Sequence, residues 1–498
     1  MNLHPSDITL KDLFCGCGGS TTGAVNVPGV RVKYAMNHWK LAVESHNTNH
    51  PDTFHDCADI SETHPARYER TTGLIGSPEC TNHSGAKGKR RKNLNQGELF
   101  QNKAIDHSAI KSRATMWDIV RFAEIHRYEF VITENVVEVR DWVLFEPWLK
   151  AMHSLGYVHK CVFLNAMFAH GENIKGFAPQ SRDRIYIVFW KKGNKAPDLE
   201  IRPLAPCPRC GVKETYQSWK NGRIAGKFKT QYVFRCSGCN EVVMPFYYAA
   251  LNAIDFSIPM VKIGERHLNK MPPLCDKTRQ RIEYGLGKFG LRPTIIDQRN
   301  PSGSVRARIR TADDSPMNTQ STGYSSYLFS PFLVDTSFAH SKSDRTYGPN
   351  DVMPTLTTQQ SLTLVAPSAI LTMRGNRTLD AMTDPISTQV AAGIQNWLVS
   401  SKPFLTPYHG NAQAAQLTDP TYTIPTKDSL SLVETHNQPS VDDCYFRMLQ
   451  PSETALAQGF PKDYIILGNK EDRQKQIGNA NPPPTMELLV ARCVASLV

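Results

Sequence analysis

The sequence predicts a doubly wound α/β sheet, and three observations carry that expectation. Short apolar runs of strand length alternate with helix-length segments over roughly the first 190 residues. The first run leads directly into a glycine-rich turn, Phe14-Cys15-Gly16-Cys17-Gly18-Gly19. Polar and reactive residues then gather just after successive strand ends, where open α/β sheets hold their ligands.

In order, Ile8 to Phe14 reads as a buried strand entering that turn. Glycines there let the backbone fold tightly against a ligand, and the next helix offers its first N–H groups; a purely structural turn uses the same residues. A second strand, Val30 to Met36, ends at Asn37-His38-Trp39, where nucleotide-binding sheets normally carry an acid for ribose hydroxyls. Asp59, after a third strand, either accepts from an adenine amino group or caps the next helix. The fourth strand delivers Gly76-Ser77-Pro78-Glu79-Cys80-Thr81-Asn82-His83-Ser84, a loop cysteine followed by five Lys/Arg between 87 and 92. Such a loop can present a thiolate nucleophile. Ser112 to Ile125 has the period of an amphipathic helix. The strand Glu129 to Thr133 delivers Glu134-Asn135-Val136, and Gln180-Ser181-Arg182-Asp183-Arg184 runs into the apolar Ile185 to Trp190. Arg182 and Arg184, two apart, point to one side of a strand. That suits an anion or a base edge, or a solvated face.

At 498 residues the chain should hold two or three domains. A net charge of +11 and a pI near 9.0 suggest a polyanionic partner, nucleic acid above all. The opening residues lack a signal-peptide pattern, and no apolar run approaches membrane-span length. A cytoplasmic chain without membrane partners is therefore expected, and there twelve cysteines do not make a disulfide framework. Four of them, Cys207, Cys210, Cys236 and Cys239, form C-x2-C-x25-C-x2-C, the spacing of a zinc ribbon with a closed structural site. Between the knuckles, Tyr216-Gln217-Ser218-Trp219-Lys220 and Lys227-Phe228-Lys229 mix aromatic and basic residues, suited to DNA contact or to stabilising an insertion.

From about 290 to 435 the composition shifts to Thr, Ser, Pro and Gln. Pro316-Met317-Asn318-Thr319, Pro354-Thr355-Leu356-Thr357, Pro385-Ile386-Ser387-Thr388 and Pro420-Thr421-Tyr422-Thr423 recur at spacings of 38, 31 and 35. Each precedes an apolar pair: Leu328-Phe329, Leu364-Val365, Leu398-Val399 and Leu432-Val433. Short repeated β units are expected.

Taken in order, these stretches resemble the DNA cytosine-5 methyltransferase family. The likeness rests on Asp12-Leu13-Phe14-x-Gly16-x-Gly18-Gly19, the Pro78/Cys80 loop, Glu134-Asn135-Val136 and Gln180-x-Arg182-x-Arg184. It continues with Arg447-Met448-Leu449 through Glu453 to Gln458-Gly459-Phe460-Pro461, then Gln476-Ile477-Gly478-Asn479-Ala480. The resemblance implies a Rossmann-like methyltransferase domain using S-adenosylmethionine. Asp12, Phe14, Gly16, Gly18, Gly19, Asn37, His38, Asp59, Ile60, Pro78 and Asn479 would form the cofactor site. Phe14 would stack near the adenine, the glycines would admit the methionine part, Asp59 would read the adenine amino group, and Asn479 would help close the pocket. Asn37 and His38 replace the usual acid and aromatic, which puts ribose binding in doubt.

The resemblance also implies roles for Cys80, Glu134, Arg182 and Arg184. Cytosine C5 is too electron-poor to take a methyl group unaided. A Cys80 thiolate adding to C6 would activate C5, with Glu134 as general acid at N3, which calls for a raised carboxyl pKa. Arg184 with Arg182 would bind the O2 side or a neighbouring phosphate. The base must be flipped from double-stranded DNA to be reached. The family usually reads Gly-Gly-Pro-Pro-Cys-Gln here; Glu79 and Thr81 depart from it. Losing the second Pro frees a backbone angle and restores an N–H, while an adjacent carboxylate disfavours a thiolate unless it points away.

The expected organisation is a catalytic domain at 1–200, a zinc-ribbon insertion at 201–245 and a helical linker at 246–290. A β-rich target-recognition region at 291–440 and a C-terminal return to the catalytic domain at 441–498 complete it. Arg374-Gly375-Asn376-Arg377 and Tyr408-His409-Gly410-Asn411 are candidate groove contacts in the recognition region, or ordinary turns. The expected activity is that of a monomeric DNA (cytosine-5-)-methyltransferase protecting bacterial or phage DNA against restriction. A DNA-binding relative with altered catalysis, an enzyme acting on RNA, and one transferring a different group all stay open.

Overall fold

A computed structural model describes residues 8–79, 114–170, 175–248, most of 250–282 and 441–498, with backbone strands alone between 294 and 432. The described chain divides into two compact units, 1–248 with 454–498, and 249–453.

The first unit is built on a seven-stranded sheet. Its strands are β1 (Ile8–Leu13), β2 (Val30–Met36), β3 (Phe54–Asp56), β4 (Gly73–Gly76), β5 (Phe130–Asn135), β6 (Tyr157–Asn165) and β7 (Asp183–Lys191). Their order is β3-β2-β1-β4-β5-β7-β6. The first five run parallel, and β7 lies antiparallel between β5 and β6. Every residue of β4 and β5 is buried, as expected of parallel strands covered on both faces.

Side-chain alternation along β1 identifies what covers each face. The Lys11 ammonium lies 5.7 Å from the Phe122 ring, on helix α3 (Met116–His126), whereas the next residue, Asp12, accepts from Thr21 on helix α1 (Gly19–Val25). Successive strand residues point to opposite faces, so α1 and α3 flank the sheet from either side and the winding is double. Helix α2 is Lys40–Asn49. On the α3 side, α3 buries Met116, Ile119, Phe122 and Ala123 at helical spacing. It packs with α4 (Phe145–Ser154), whose Trp148 Nε1 donates to the Met116 carbonyl at 2.8 Å.

The C-terminal helices include α5 (Pro451–Gln458), α6 (Lys470–Asn479) and α7 (Pro483–Leu497). Helix α6 opens with a capping box between Asn469 and Asp472, and α7 starts on a proline, whose missing N–H costs nothing in a first turn. Helix α7 buries ten residues and lies against α1, where Glu487 accepts from the Asn26 side chain at 2.9 Å. The expected return to the catalytic sheet is thus a helix packed on the turn-bearing face.

The cysteine-knuckle segment is a four-stranded antiparallel sheet of β8 (Leu204–Cys207), β9 (Gly211–Trp219), β10 (Tyr232–Cys236) and β11 (Val242–Val243), in the order β11-β10-β9-β8. It belongs to the first unit. Gln217 Nε2 donates to the Phe163 carbonyl of β6 at 2.7 Å, and Phe168 meets Phe228 and Phe234 edge-on at 4.8 and 4.9 Å.

In the second unit, Val261–Lys262 pairs with Tyr445–Phe446, and the segment that the sequence predicts as a helical linker shows 3-10 turns at Ala250–Ala253 and Ile263–Asn269. Arg447 holds Glu453 through two bonds of 2.8 Å with both side chains buried, the fork geometry a guanidinium favours. Between 294 and 432 the backbone forms short strands in sheets of three, five and three. The apolar pairs of the repeat fall on them: Leu328 and Phe329 in Tyr327–Phe329, Leu398 and Val399 in Asn396–Ser400, Leu364 and Leu432 at strand ends, where these last two pair with each other in parallel. The Pro-x-x-Thr tetrads at 316, 354 and 385, and the candidate groove contacts at 374–377 and 408–411, lie outside the described residues.

Candidate active site

Two loops leave neighbouring parallel strands at the same edge of the sheet. β1 and β4 pair in register, Leu13 with Gly76, so the turn after Leu13 and the loop after Gly76 start side by side.

The first is the glycine-rich turn. Phe14 adopts φ +60°, Gly16 +54° and Gly18 +103°. A bulky aromatic in the left-handed region is a strained state that persists only where its surroundings enforce it, and such states cluster at functional sites. The family resemblance assigns all the glycines to the cofactor; packing divides them. A methyl group at Gly18 would collide with the Tyr464 hydroxyl, and one at Gly19 with the Asn481 backbone carbonyl. At Gly16 nothing among the described residues lies within 4 Å of such a methyl. Gly18 and Gly19 therefore admit the protein's own C-terminal segment, and Gly16 faces the open side of the turn.

Beneath the turn, Asp12 is fully buried and accepts from Thr21 Oγ1 at 2.8 Å. Burial, opposed by that bond, pushes its carboxyl up to about 7. A chain of contacts continues from Thr21 to His46 (3.0 Å) and from His46 to His55 (2.7 Å), while His50 meets Thr22 at 3.0 Å. Burial, reinforced by the neighbouring imidazoles, keeps His46 well below the ordinary histidine value and brings His50 down to about 4. The turn rests on a buried polar network in which His46 and His50 are held neutral.

At the ends of β2 and β3 the expected cofactor residues have local work. Asn37 Oδ1 accepts from the Trp39 N–H at 2.9 Å, His38 is exposed, and Lys475 lies 4.7 Å over the Trp39 ring. Asp59 Oδ1 caps the 3-10 turn Ile60–Glu62 by accepting from Ser61 N at 3.1 Å, which is the capping alternative. Ile60 is buried. Asn479 is exposed at the end of α6, so it does not reach into the sheet. Asn481, two residues on, makes the closing contacts: its Nδ2 donates to Ser20 Oγ at 3.1 Å and to Ser77 Oγ at 2.9 Å. An Asn after a helix end carries no mark of such a role in sequence; only the returning chain brings it between the two loops.

The second loop is held at each residue as far as Glu79. Ser77 N donates to the Leu13 carbonyl at 3.2 Å, and Asn135 Nδ2 donates to the Pro78 carbonyl at 3.3 Å. The N–H restored at Glu79 donates to Thr115 Oγ1 at 3.2 Å, a bond that proline at this position cannot make. The Glu79 side chain is exposed. Cys80 and the basic run at 87–92 lie outside the described residues.

Glu134 and Arg184 come together from adjacent antiparallel strands. Glu134 lies opposite Tyr186 in the β5–β7 register, and Arg184 Nε stands 2.9 Å from Glu134 Oε1 with both residues buried. Arg182, two residues earlier, is tied to the returning chain. It is 3% exposed, and its Nη1 donates to the Gly478 carbonyl at 3.1 Å, so it anchors the end of α6.

The four ribbon sulfurs lie within 4.8 Å of one another, Cys207 and Cys239 at 3.3 Å, and the Gly238 N–H points at Cys236 Sγ at 3.4 Å. That set fits a tetrahedral thiolate site, in which sulfurs each ~2.3 Å from one ion are mutual neighbours. Of the aromatics between the knuckles, Phe228 is buried and Trp219 meets Phe163 edge-on at 5.4 Å, while Tyr216 is exposed.

Among curated proteins, the chain is 24% identical over 226 residues to the type II methyltransferase M.FnuDI of Fusobacterium nucleatum, covering 45% of this chain and 58% of that protein. It is 24% identical over 189 residues to M.HgiDI of Herpetosiphon aurantiacus, covering 37% and 53%. The chain thus spans about half the length of the curated relatives it matches. A solved structure of the Entamoeba histolytica methyltransferase EhMeth aligns over 99% of each chain at 9% identity, with a TM-score of 0.48. The family model for C-5 cytosine-specific DNA methylase matches residues 8–227 and 329–495, and the chain belongs to that family.

Proposed function

We propose that this protein methylates C5 of cytosine in double-stranded DNA, with S-adenosylmethionine as donor and Cys80 as nucleophile. The observation that carries the reading is the buried Glu134–Arg184 pair at 2.9 Å, beside a loop tethered one residue short of Cys80.

The open side of the Gly16 turn and the strained Phe14 fit a cofactor at the ends of β1 and β2. When bound there, S-adenosylmethionine supplies an electrophilic methyl group. Cys80, as thiolate, forms a bond to C6 of a flipped cytosine while Glu134 delivers a proton to N3. The resulting enamine carbon, C5, is then nucleophilic enough to be methylated. Loss of the C5 proton to solvent expels the thiolate and restores the ring, and N3 returns its proton to Glu134. Arg184 fixes the Glu134 carboxyl in place and lies beside the base's O2 edge. Asn135 sets the distance between Glu134 and the cysteine loop, because one side chain bonds the Pro78 carbonyl directly after its neighbour pairs with Arg184.

The ribbon cysteines hold a structural zinc ion with no open position for chemistry. The β-rich stretch within 291–440 reads the target sequence, and the net charge of +11 favours the polyanionic substrate. The type II relatives support a role in modification that opposes restriction.

Incubation with labelled S-adenosylmethionine and cytosine-containing duplex DNA tests the reading. Transfer of label to C5 is expected, and Cys80→Ser should abolish it. Cofactor binding without any transfer to DNA would sink the proposal. Metal analysis of protein purified without chelator should find one zinc per chain.

A further inference from the structure

The ribbon touches the strand that carries Arg184, its neighbour β6 and the turn that follows the strand of Glu134. Asp183 sits between Arg182 and Arg184, is 9% exposed, and its Oδ1 accepts from the Phe228 backbone N–H at 3.0 Å. Lys227, one residue earlier, pairs with Glu138 at 2.5 Å, in the 3-10 turn that follows Glu134-Asn135-Val136. Gln217 Nε2 bonds the Phe163 carbonyl on β6, the strand that flanks β7. Three tethers thus run from the β9–β10 hairpin to the segments on either side of the site.

The ribbon is too small to hold that hairpin by packing alone. Its own core around the knuckles is Ala205, Cys207, Cys236 and Val243, with Cys210 and Cys239 against it. The hairpin loop gains its order from the four cysteines at one end and from Phe168, set edge-on to both Phe228 and Phe234, at the other. An N–H presented from such a loop has a set position, and a buried carboxylate that accepts it fixes its own strand.

We infer that the ribbon is a brace for the catalytic strand, and that Asp183 is the positioning residue through which it holds Arg184 against Glu134. Asp183 touches neither substrate nor cofactor; it acts by fixing the backbone on which Arg184 stands. The inference rests on the proposed methyl transfer, since it concerns the placement of that reaction's acid.

The test compares Asp183→Ala and Asp183→Asn in the full chain. The amide oxygen of Asn accepts the Phe228 N–H and Ala accepts nothing. Asp183→Ala should lower kcat by about 10- to 100-fold, the scale of a small misplacement of catalytic groups. KM for S-adenosylmethionine, its affinity in equilibrium dialysis, and bound zinc should not change. Asp183→Asn should restore kcat to within about 3-fold of wild type, a difference of ~0.7 kcal/mol in barrier. Wild-type protein that transfers no methyl group defeats the function reading; active wild type with an equally active Asp183→Ala overturns the brace alone. If Asp183→Ala loses cofactor binding, the double variant Gln217→Met/Lys227→Met decides, because it cuts two tethers and leaves the catalytic strand's sequence intact. A several-fold fall in its kcat with zinc retained supports the brace, and an unchanged kcat overturns it.

Discussion

The loops after β1 and β4 begin at paired residues, Leu13 and Gly76, yet they are shaped by opposite means. The β1 turn is shaped by room: glycines whose missing side chains leave space for Tyr464 and Asn481, over a buried polar network. The β4 loop is shaped by tethers, with hydrogen bonds from Leu13, Asn481, Asn135 and Thr115 at three consecutive residues. A loop of the first kind fails when an atom is added. One of the second kind fails when a polar atom is removed.

The largest expected effect is therefore Gly19→Ala. Its new methyl meets the backbone carbonyl of Asn481, which cannot swing aside as a side chain would. The loss should be about 3 kcal/mol or more in chemical unfolding, at the upper end for overpacking. Gly16→Ala, with open space and φ +54°, should cost only ~1 kcal/mol while weakening cofactor binding. Equal stability losses at the two positions would break the distinction.

Asp12→Asn comes next. The folded-state carboxyl is pushed up to about 7 by burial, against an ordinary value of ~3.9. A raised pKa means that the group's contribution is fully present below about pH 4 and is lost as pH climbs through about 7. The Asn variant keeps an acceptor for Thr21 and escapes that loss. Its stability relative to wild type should rise by a few kcal/mol between about pH 4 and about pH 8, since each pH unit separating the folded and unfolded values is worth ~1.4 kcal/mol. A difference that does not move with pH would show that the Asp12 carboxyl ionises as easily in the folded protein as in water.

Among the tethers, Asn135→Ala removes the bond to the Pro78 carbonyl and the bond that Asn135 Oδ1 receives from Val136 N. Leaving buried groups unpaired should cost about 2 kcal/mol, with a larger fall in kcat than in cofactor affinity. Thr115→Val is the smallest, at about 0.5–1 kcal/mol, since water can reach the exposed Glu79. In that background Glu79→Pro should add no further penalty, the bond from its N–H being gone already. A full additional loss would mean that the Thr115 bond is not what replaces the family's second proline.

Much of the fold was legible because burial leaves a pattern. Strands covered on both faces are rich in apolar residues, and β-branched and aromatic runs marked β5 and β7, as alternating valines marked β2 and the apolar positions of Ile8 to Phe14 marked β1, before any pairing was known. The knuckle spacing likewise predicted sulfurs that do converge, and two of the four apolar pairs of the repeat fall whole on strands. What the site asks of each polar residue was less legible. Arg182 and Arg184 look equivalent at a spacing of two, and only the folded chain ties Arg182 to the Gly478 carbonyl and sets Arg184 2.9 Å from Glu134. Asn481, Thr115 and Asp183 sit in no pattern that singles them out.

By itself, then, the sequence determined the alternation of strands and helices, the turn that needs left-handed residues, the cysteine quartet and the order of the family's motifs. These are local consequences of side-chain shape, backbone freedom and spacing. The tertiary structure decided which glycine spaces the protein fills for itself, which asparagine joins the two loops and which carbonyl Arg182 holds. Each depends on segments hundreds of residues apart: Asn481 to Ser20, Gly478 to Arg182. A hydrogen bond is specified by the meeting of two groups, and a linear sequence names the groups without saying that they meet.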